Sequence, residues 1–191
     1  MNLSFLTAQQ ARISLPDQIL SDQDLQIVDP SCFLPALLDH HRFPEDLFDD
    51  LIFVLFGSKI IRAVARPFES PAAPPLDRIG IDFLRMDMAV PRLTTSAAMT
   101  WGHQARHNLV ELTREQCEAY LRRENFLLTL AQRPHCSGRG SLLIRFAGKA
   151  LGLGFLEILA PGDPLDGRVR SLFPRAFSLD LEQTSALGNP S

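Results

Sequence analysis

The stretch ESPAAPPL, residues 69–76, constrains this chain more than any other. Pro71, Pro74 and Pro75 offer no backbone N–H and hold φ near one value, so neither a helix nor a central strand can run through them. The chain has to organise itself on either side. Its 191 residues, 46% of them hydrophobic, suffice for one good core or two small ones. An α+β chain is predicted, with a small N-terminal αβ domain over residues 1–72, a second domain over 77–182 and a disordered tail over 183–191.

Before the prolines, residues 1–30 carry only weak elements. SCFLPALLDHH puts Phe33, Leu34, Leu37 and Leu38 at helical spacing behind Ser31, a potential N-cap, and predicts a helix to about His41. FPEDLFDD reads as a short helical turn begun by Pro44, with acids near its start. LIFVLF and KIIRAVAR, joined by Gly57-Ser58, read as a β-hairpin. After the prolines, RIGIDFLRMDM alternates Ile79, Ile81 and Phe83 with polar neighbours and loses phase at Leu84, the pattern of an irregular strand. TTSAAMTWGH predicts a helix capped by Thr94 or Thr95. TREQCEAYLRRE predicts a stronger one: Thr113 as N-cap, Glu115 and Gln116 in the first turn, Arg122 and Arg123 in the last, and Cys117, Tyr120 and Leu121 on one face. SLLIRFAG and KALGLGFLEIL are apolar strands joined at Ala147-Gly148-Lys149, and RVRSLFPRAFSLDL is a basic strand that breaks at Pro174.

The net charge of −3 conceals an asymmetry. Residues 1–58 hold nine acids against Arg12 and Arg42, whereas residues 59–149 hold fourteen Lys or Arg against eight acids. A basic middle suits a polyanionic partner, although a merely solvated basic face has the same composition. Only Lys59 and Lys149 are lysine, so the surplus is almost wholly arginine, which grips phosphate bidentately. Cys32, Cys117 and Cys136 are odd in number and lack a CxxC pair, which argues against a disulfide framework or structural zinc. No apolar run approaches the roughly 20 residues of a membrane span, and MNLSFLTAQQ lacks the basic start and apolar stretch of a secretory signal. A soluble cytoplasmic protein without membrane contact is expected. The metal candidates are His40 with His41, His135 with Cys136, and His103 with His107. None has further ligands at workable spacing, so neither metal nor cofactor is expected.

PHCSGRGS, residues 134–141, poses the question of catalysis, because it resembles the proline-cysteine-serine-glycine turn of enzymes that methylate cytosine in RNA. In those enzymes an aspartate and a proline precede the cysteine and a second cysteine lies further along. Here Arg133, Pro134 and His135 precede Cys136, and no cysteine follows. No glycine-rich strand-to-helix turn stands upstream for a nucleotide-like cofactor. A turn shaped by Pro134, Gly138 and Gly140 is therefore preferred, and no enzyme is expected. GKALGLG lacks the Ser or Thr that follows the lysine of a phosphate loop, which leaves a tight turn and a strand that something approaches closely.

Residues 141–179, with ALGLG at 150–154 and the basic RVRSLFPR at 168–175, resemble the PUA-like RNA-binding region at the C-terminus of bacterial rRNA cytosine-5 methyltransferases of the Nop/Sun type. The likeness extends upstream through YLRRENF, where Arg123 stands at a usual glycine, and through RIGIDFLRMDMAVPRLTTSAAM. It covers roughly Phe33 to Asp180. That family's catalytic domain, with its cofactor site and both cysteines, has no counterpart here. The resemblance implies a PUA-like β-pseudo-barrel with flanking helices, preceded by a small subdomain and acting as a non-catalytic RNA-recognition half. On that footing Arg145, Lys149, Arg168, Arg170 and Arg175 would contact phosphates of structured rRNA or tRNA. Gly148, Gly152 and Gly154 would let the RNA backbone approach, and Arg85 and Arg92 would extend the basic surface. The expected setting is RNA modification or ribosome maturation. The alternative is an accessory subunit whose acidic N-terminal domain docks an RNA methyltransferase or ribosome-assembly factor.

Overall fold

The computed structural model of the protein describes residues 25–56, 59–67, 79–86, 92–157 and 166–177. The fold is α+β and divides into two units, residues 1–97 and 98–191.

In the first unit, sheet order follows chain order: β1 (Leu25–Ile27), β2 (Leu51–Phe56), β3 (Ile60–Ala65), β4 (Ile81–Arg85) and β5 (Arg92–Leu93), all antiparallel. The predicted hairpin is β2–β3. LIFVLF is continuously apolar because both faces of its strand are covered. Phe53 and Val54 are neighbours on opposite faces, yet neither is more than 2% exposed. On one face Phe53, Phe33, Phe48 and Phe83 pack edge-on or tilted, with centroid spacings of 5.1 Å for Phe33–Phe53, 4.9 Å for Phe53–Phe83 and 5.3 Å for Phe48–Phe83. On the other, Val54, Val64 and Ile79 gather Ile27 and Ile52.

The predicted helix is α1 (Leu34–His41), but Ser31 does not cap it. Asp29 caps a preceding 3-10 turn by accepting the Ser31 N–H at 2.9 Å, and α1 begins after Phe33 without a side-chain cap. FPEDLFDD forms successive turns, Leu47 N–H to the Pro44 carbonyl and Asp49 N–H to that of Asp46, rather than a helix.

The loss of phase at Leu84 has a structural cause. Ile61 faces Leu84 but Arg62 faces Asp82, so Phe83 is an extra, bulged residue, and it and Leu84 are both buried. The same slip sets Arg62 opposite Asp82, with the two charges 2.9 Å apart. The division of the chain differs from the expected one. β4 and β5, which follow the proline-rich stretch, complete the first sheet, and the division along the chain falls between Ala97 and Ala98. A strand leaving a connector needs partners for its backbone groups, and the free edge of β3 supplies them. The prolines of ESPAAPPL and the predicted tail at 183–191 lie outside the described residues.

Helix α2 (Thr95–Trp101) is capped as predicted, Thr94 Oγ1 accepting the Ala97 N–H at 3.1 Å. A 3-10 turn, Gly102–Gln104, follows it. The second unit then comprises β6 (Leu109–Glu111), α3 (Arg114–Leu121), β7 (Phe126–Leu127), β8 (Gly140–Phe146), β9 (Lys149–Leu156) and β10 (Arg168–Ser171), in the sheet order β6-β8-β9-β10-β7. Strands β6 and β8 are parallel and the other pairs antiparallel. Helix α3 opens with a capping box: Thr113 accepts the Gln116 N–H at 3.2 Å, and Gln116 Oε1 accepts the Thr113 N–H at 3.0 Å. It ends before the two arginines predicted for its last turn, because Arg122 is its C-cap and Arg123 lies in the left-handed region at φ 64°. The β8–β9 turn places Ala147 and Gly148 both at positive φ, as a two-residue hairpin requires.

The second core lies between α3 and one face of this sheet. Leu142, Ile144, Leu156, Val169 and Phe126 meet Cys117 and Tyr120 there. Tyr120 is wholly buried, and its hydroxyl donates to the Leu153 carbonyl at 3.0 Å. Ser171 Oγ donates in turn to the Tyr120 carbonyl at 2.8 Å, which ties the helix to β9 and β10. Burial pushes the phenol well above its usual range.

Candidate nucleic-acid interface

Strand alternation sends Ser141, Leu143 and Arg145, Leu153 and Phe155, and Arg168 and Arg170 to the face opposite this core. Near the hairpin that face is covered. Leu143 and Leu153 are buried, and a Cβ added at Gly102 would lie 3.0 Å from Leu143 Cδ2 and 3.5 Å from Ala150 Cβ. Further along, the register aligns Ser141, Phe155 and Arg170 across three strands. Phe155 is half-buried and Arg170 exposed. The Arg170 guanidinium carbon lies 5.4 Å from the Phe155 ring centroid, and that of Arg139 lies 5.9 Å away. Glu157 pairs with both Arg168, at 3.2 Å, and Arg170, at 3.6 Å. This end of the face therefore sets two guanidiniums, Arg139 and Arg170, by one aromatic ring and two, Arg168 and Arg170, on one carboxylate.

Arg139 reaches this position from PHCSGRGS, which is fastened to the unit on both sides. Asn108, left-handed at φ 49°, accepts the Ser137 N–H at 2.9 Å and donates from Nδ2 to Ser137 Oγ at 2.9 Å. Its own N–H donates to the His135 carbonyl at 2.8 Å. Arg133 pairs with the buried carboxylate of Asp166 and donates from Nη2 to the Asp166 carbonyl at 3.1 Å. Beneath the loop Gln132 donates to the Glu111 carbonyl at 2.6 Å, and Gln116 donates to that of Leu127 at 2.7 Å. Cys136 faces inward and joins the core at 8% exposure. Burial pushes its thiol up to about 11, so it stays protonated at neutral pH, the wrong state for a nucleophile.

The other predicted residues are distributed unevenly. Arg145 pairs with Glu111 at 2.5 Å, and the Gly148 N–H donates to the same carboxylate at 3.3 Å. An acid of the protein thus occupies a guanidinium expected to meet phosphate and the N–H of a glycine expected to admit the RNA backbone. Lys149 is exposed and has no ion pair among the described residues. Gly152 and Gly154 correct the expectation of a close approach by RNA, since both are buried. A Cβ at Gly154 would lie 2.9 Å from Val169 Cγ1 and 3.0 Å from Ile144 Cδ1, so what approaches it is the unit's own core. Gly152, at φ 138°, sits where the β8–β9 register slips. Arg175 lies exposed in a 3-10 turn beyond β10. Arg85 and Arg92 face each other across β4 and β5 in the first unit. His103 falls in the turn after α2 and His107 beyond it, so their spacing does not put them on one helical face.

Sequence reasoning missed Phe155, Glu157 and Glu111. Phe155 shares the phase of Leu153 and reads as core until the register sets it beside Arg170. Among the described residues no three His, Cys, Asp or Glu side chains gather as a metal site, and no helix is long and apolar enough to cross a membrane. No protein-family model matches the sequence, and no curated protein matches it. What the geometry itself defines is an α+β protein whose second sheet carries a core on one face and an arginine-aromatic surface on the other.

Proposed function

We propose that this protein is a non-catalytic RNA-binding protein that recognises structured RNA, rRNA or tRNA, through its second unit, and serves RNA modification or ribosome maturation in the cytoplasm. One observation carries the reading: the Arg139 and Arg170 guanidiniums lie by the Phe155 ring, and Glu157 holds Arg168 together with Arg170, on the open end of a sheet face. Guanidiniums supply phosphate contacts, and a ring among them suits nucleic acid better than a simple anion. The PUA-like assignment of this unit is supported by the likeness over residues 141–179 and by a mixed sheet that packs one face on α3. Filter retention of a tRNA or an rRNA hairpin at two salt concentrations tests the function. Affinity should fall at least about tenfold between roughly 50 and 200 mM salt, because each neutralised phosphate releases counterion. Absence of binding at low salt, or binding indifferent to salt, overturns it.

The accessory-subunit reading rests on the exposed carboxylates of Glu45, Asp46, Asp49 and Asp50. Deleting the first 70 residues is a poor test of it, because β4 and β5 would lose β3. Neutralising those four acids leaves the strands intact. Loss of a methyltransferase or assembly-factor partner without loss of RNA binding would favour the accessory role.

A further inference from the structure

We infer that the Phe155 end of the face holds an unpaired nucleobase, so the preferred ligand is RNA with a bulged or looped-out nucleotide rather than uninterrupted duplex. The inference rests on the RNA-binding reading and specifies what this part of the site recognises. A duplex presents phosphates and 2′-hydroxyls, and arginines alone would meet those. Phe155 adds nothing to phosphate binding, yet it stands half-buried in the same row as Arg170 instead of being withdrawn into a core. A splayed base finds stacking partners in an aromatic ring and in guanidinium planes, and here one ring and two such planes lie together.

The surroundings limit how far these planes can wander. Glu157 holds Arg168 and Arg170 at once. Asn108 and the Arg133–Asp166 pair fasten the loop that carries Arg139. Side chains restrained before binding lose less entropy when the base arrives. Three guanidiniums against Glu157 leave a positive surplus for the phosphates flanking that nucleotide.

The experiment compares two RNA hairpins of equal length and charge, one fully paired and one with a single bulged 2-aminopurine, against the full chain. The bulged hairpin should bind about tenfold more tightly, and its fluorescence should be quenched as the base stacks. Phe155→Leu should remove that preference and the quenching while leaving the salt dependence in place, and Phe155→Tyr should restore both. Equal binding of the two hairpins, or a preference that survives Phe155→Leu, overturns the inference while RNA binding itself stands. Polyphosphate of the same charge competing as well as the bulged hairpin also overturns it, since the base would then contribute nothing. Failure of both hairpins to bind at low salt removes the underlying function as well.

Discussion

The two ends of one sheet face treat their arginines oppositely. At the hairpin end Arg145 and the Gly148 N–H are both engaged by Glu111, and the neighbouring Leu143 and Leu153 are covered. At the other end Arg168 and Arg170 share one carboxylate between them, and Arg139 has no ion pair among the described residues. Equal basic content along β8 to β10 therefore does not mean equal availability. A cation already paired has to exchange its partner for phosphate, and the exchange returns little net free energy.

The strongest test of this contrast replaces Arg139 and Arg170 together by Ala. Losing two contacts should weaken structured-RNA binding about a hundredfold at low salt and flatten the salt slope by about two. Arg145→Ala should change affinity less than about threefold, and comparable losses at both ends would erase the distinction. The glycines extend the contrast from the ends of the sheet to its faces. Gly154→Ala forces a methyl against Val169 and Ile144 and should cost about 2 kcal/mol in denaturant unfolding. Gly148→Ala meets open space but keeps a positive φ, and should cost about 1 kcal/mol. A smaller effect is expected from Glu111→Gln, which removes the competing charge from Arg145. RNA affinity should rise about threefold, and an unchanged affinity would mean that the hairpin end lies outside the footprint.

The smallest expected effect concerns Cys136. Cys136→Ser should leave RNA binding unchanged, because the side chain points away from this face. A thiol whose folded value is raised from 9.0 to about 11 contributes stability that is fully present below about 9. That contribution is lost as the pH rises through about 11. Alkaline unfolding followed with and without the substitution reads it out, and a thiol-reactive dye should label Cys32 at once but Cys136 only on unfolding.

How much the sequence disclosed follows from how local each feature is. The β2–β3 hairpin, the Thr94 cap and the Thr113–Gln116 capping box each depend on residues a few positions apart, and all were legible. The bulge at Phe83 was visible as lost phase without its cause. The order β6-β8-β9-β10-β7 joins strands separated by a helix and long loops, and no periodicity encodes which edge β7 finds. The site depended on that order. Gly152 and Gly154 looked permissive toward a ligand because glycine spacing does not say which face a strand turns inward. Arg139 stands beside the turn glycines of PHCSGRGS, but its ring partner lies sixteen positions along the chain.

Asn108 carries a consequence for how freely this sequence can vary. Its left-handed backbone admits few residue types comfortably, and its carboxamide must give one hydrogen to Ser137 Oγ while receiving another from the Ser137 N–H. Glycine satisfies the backbone but offers neither partner, and aspartate accepts but cannot donate when ionised. In a saturation library selected for folding, position 108 should therefore tolerate almost nothing but asparagine, while exposed Arg139, thirty-one residues away and held in place by the same loop, should vary freely until the selection is for binding.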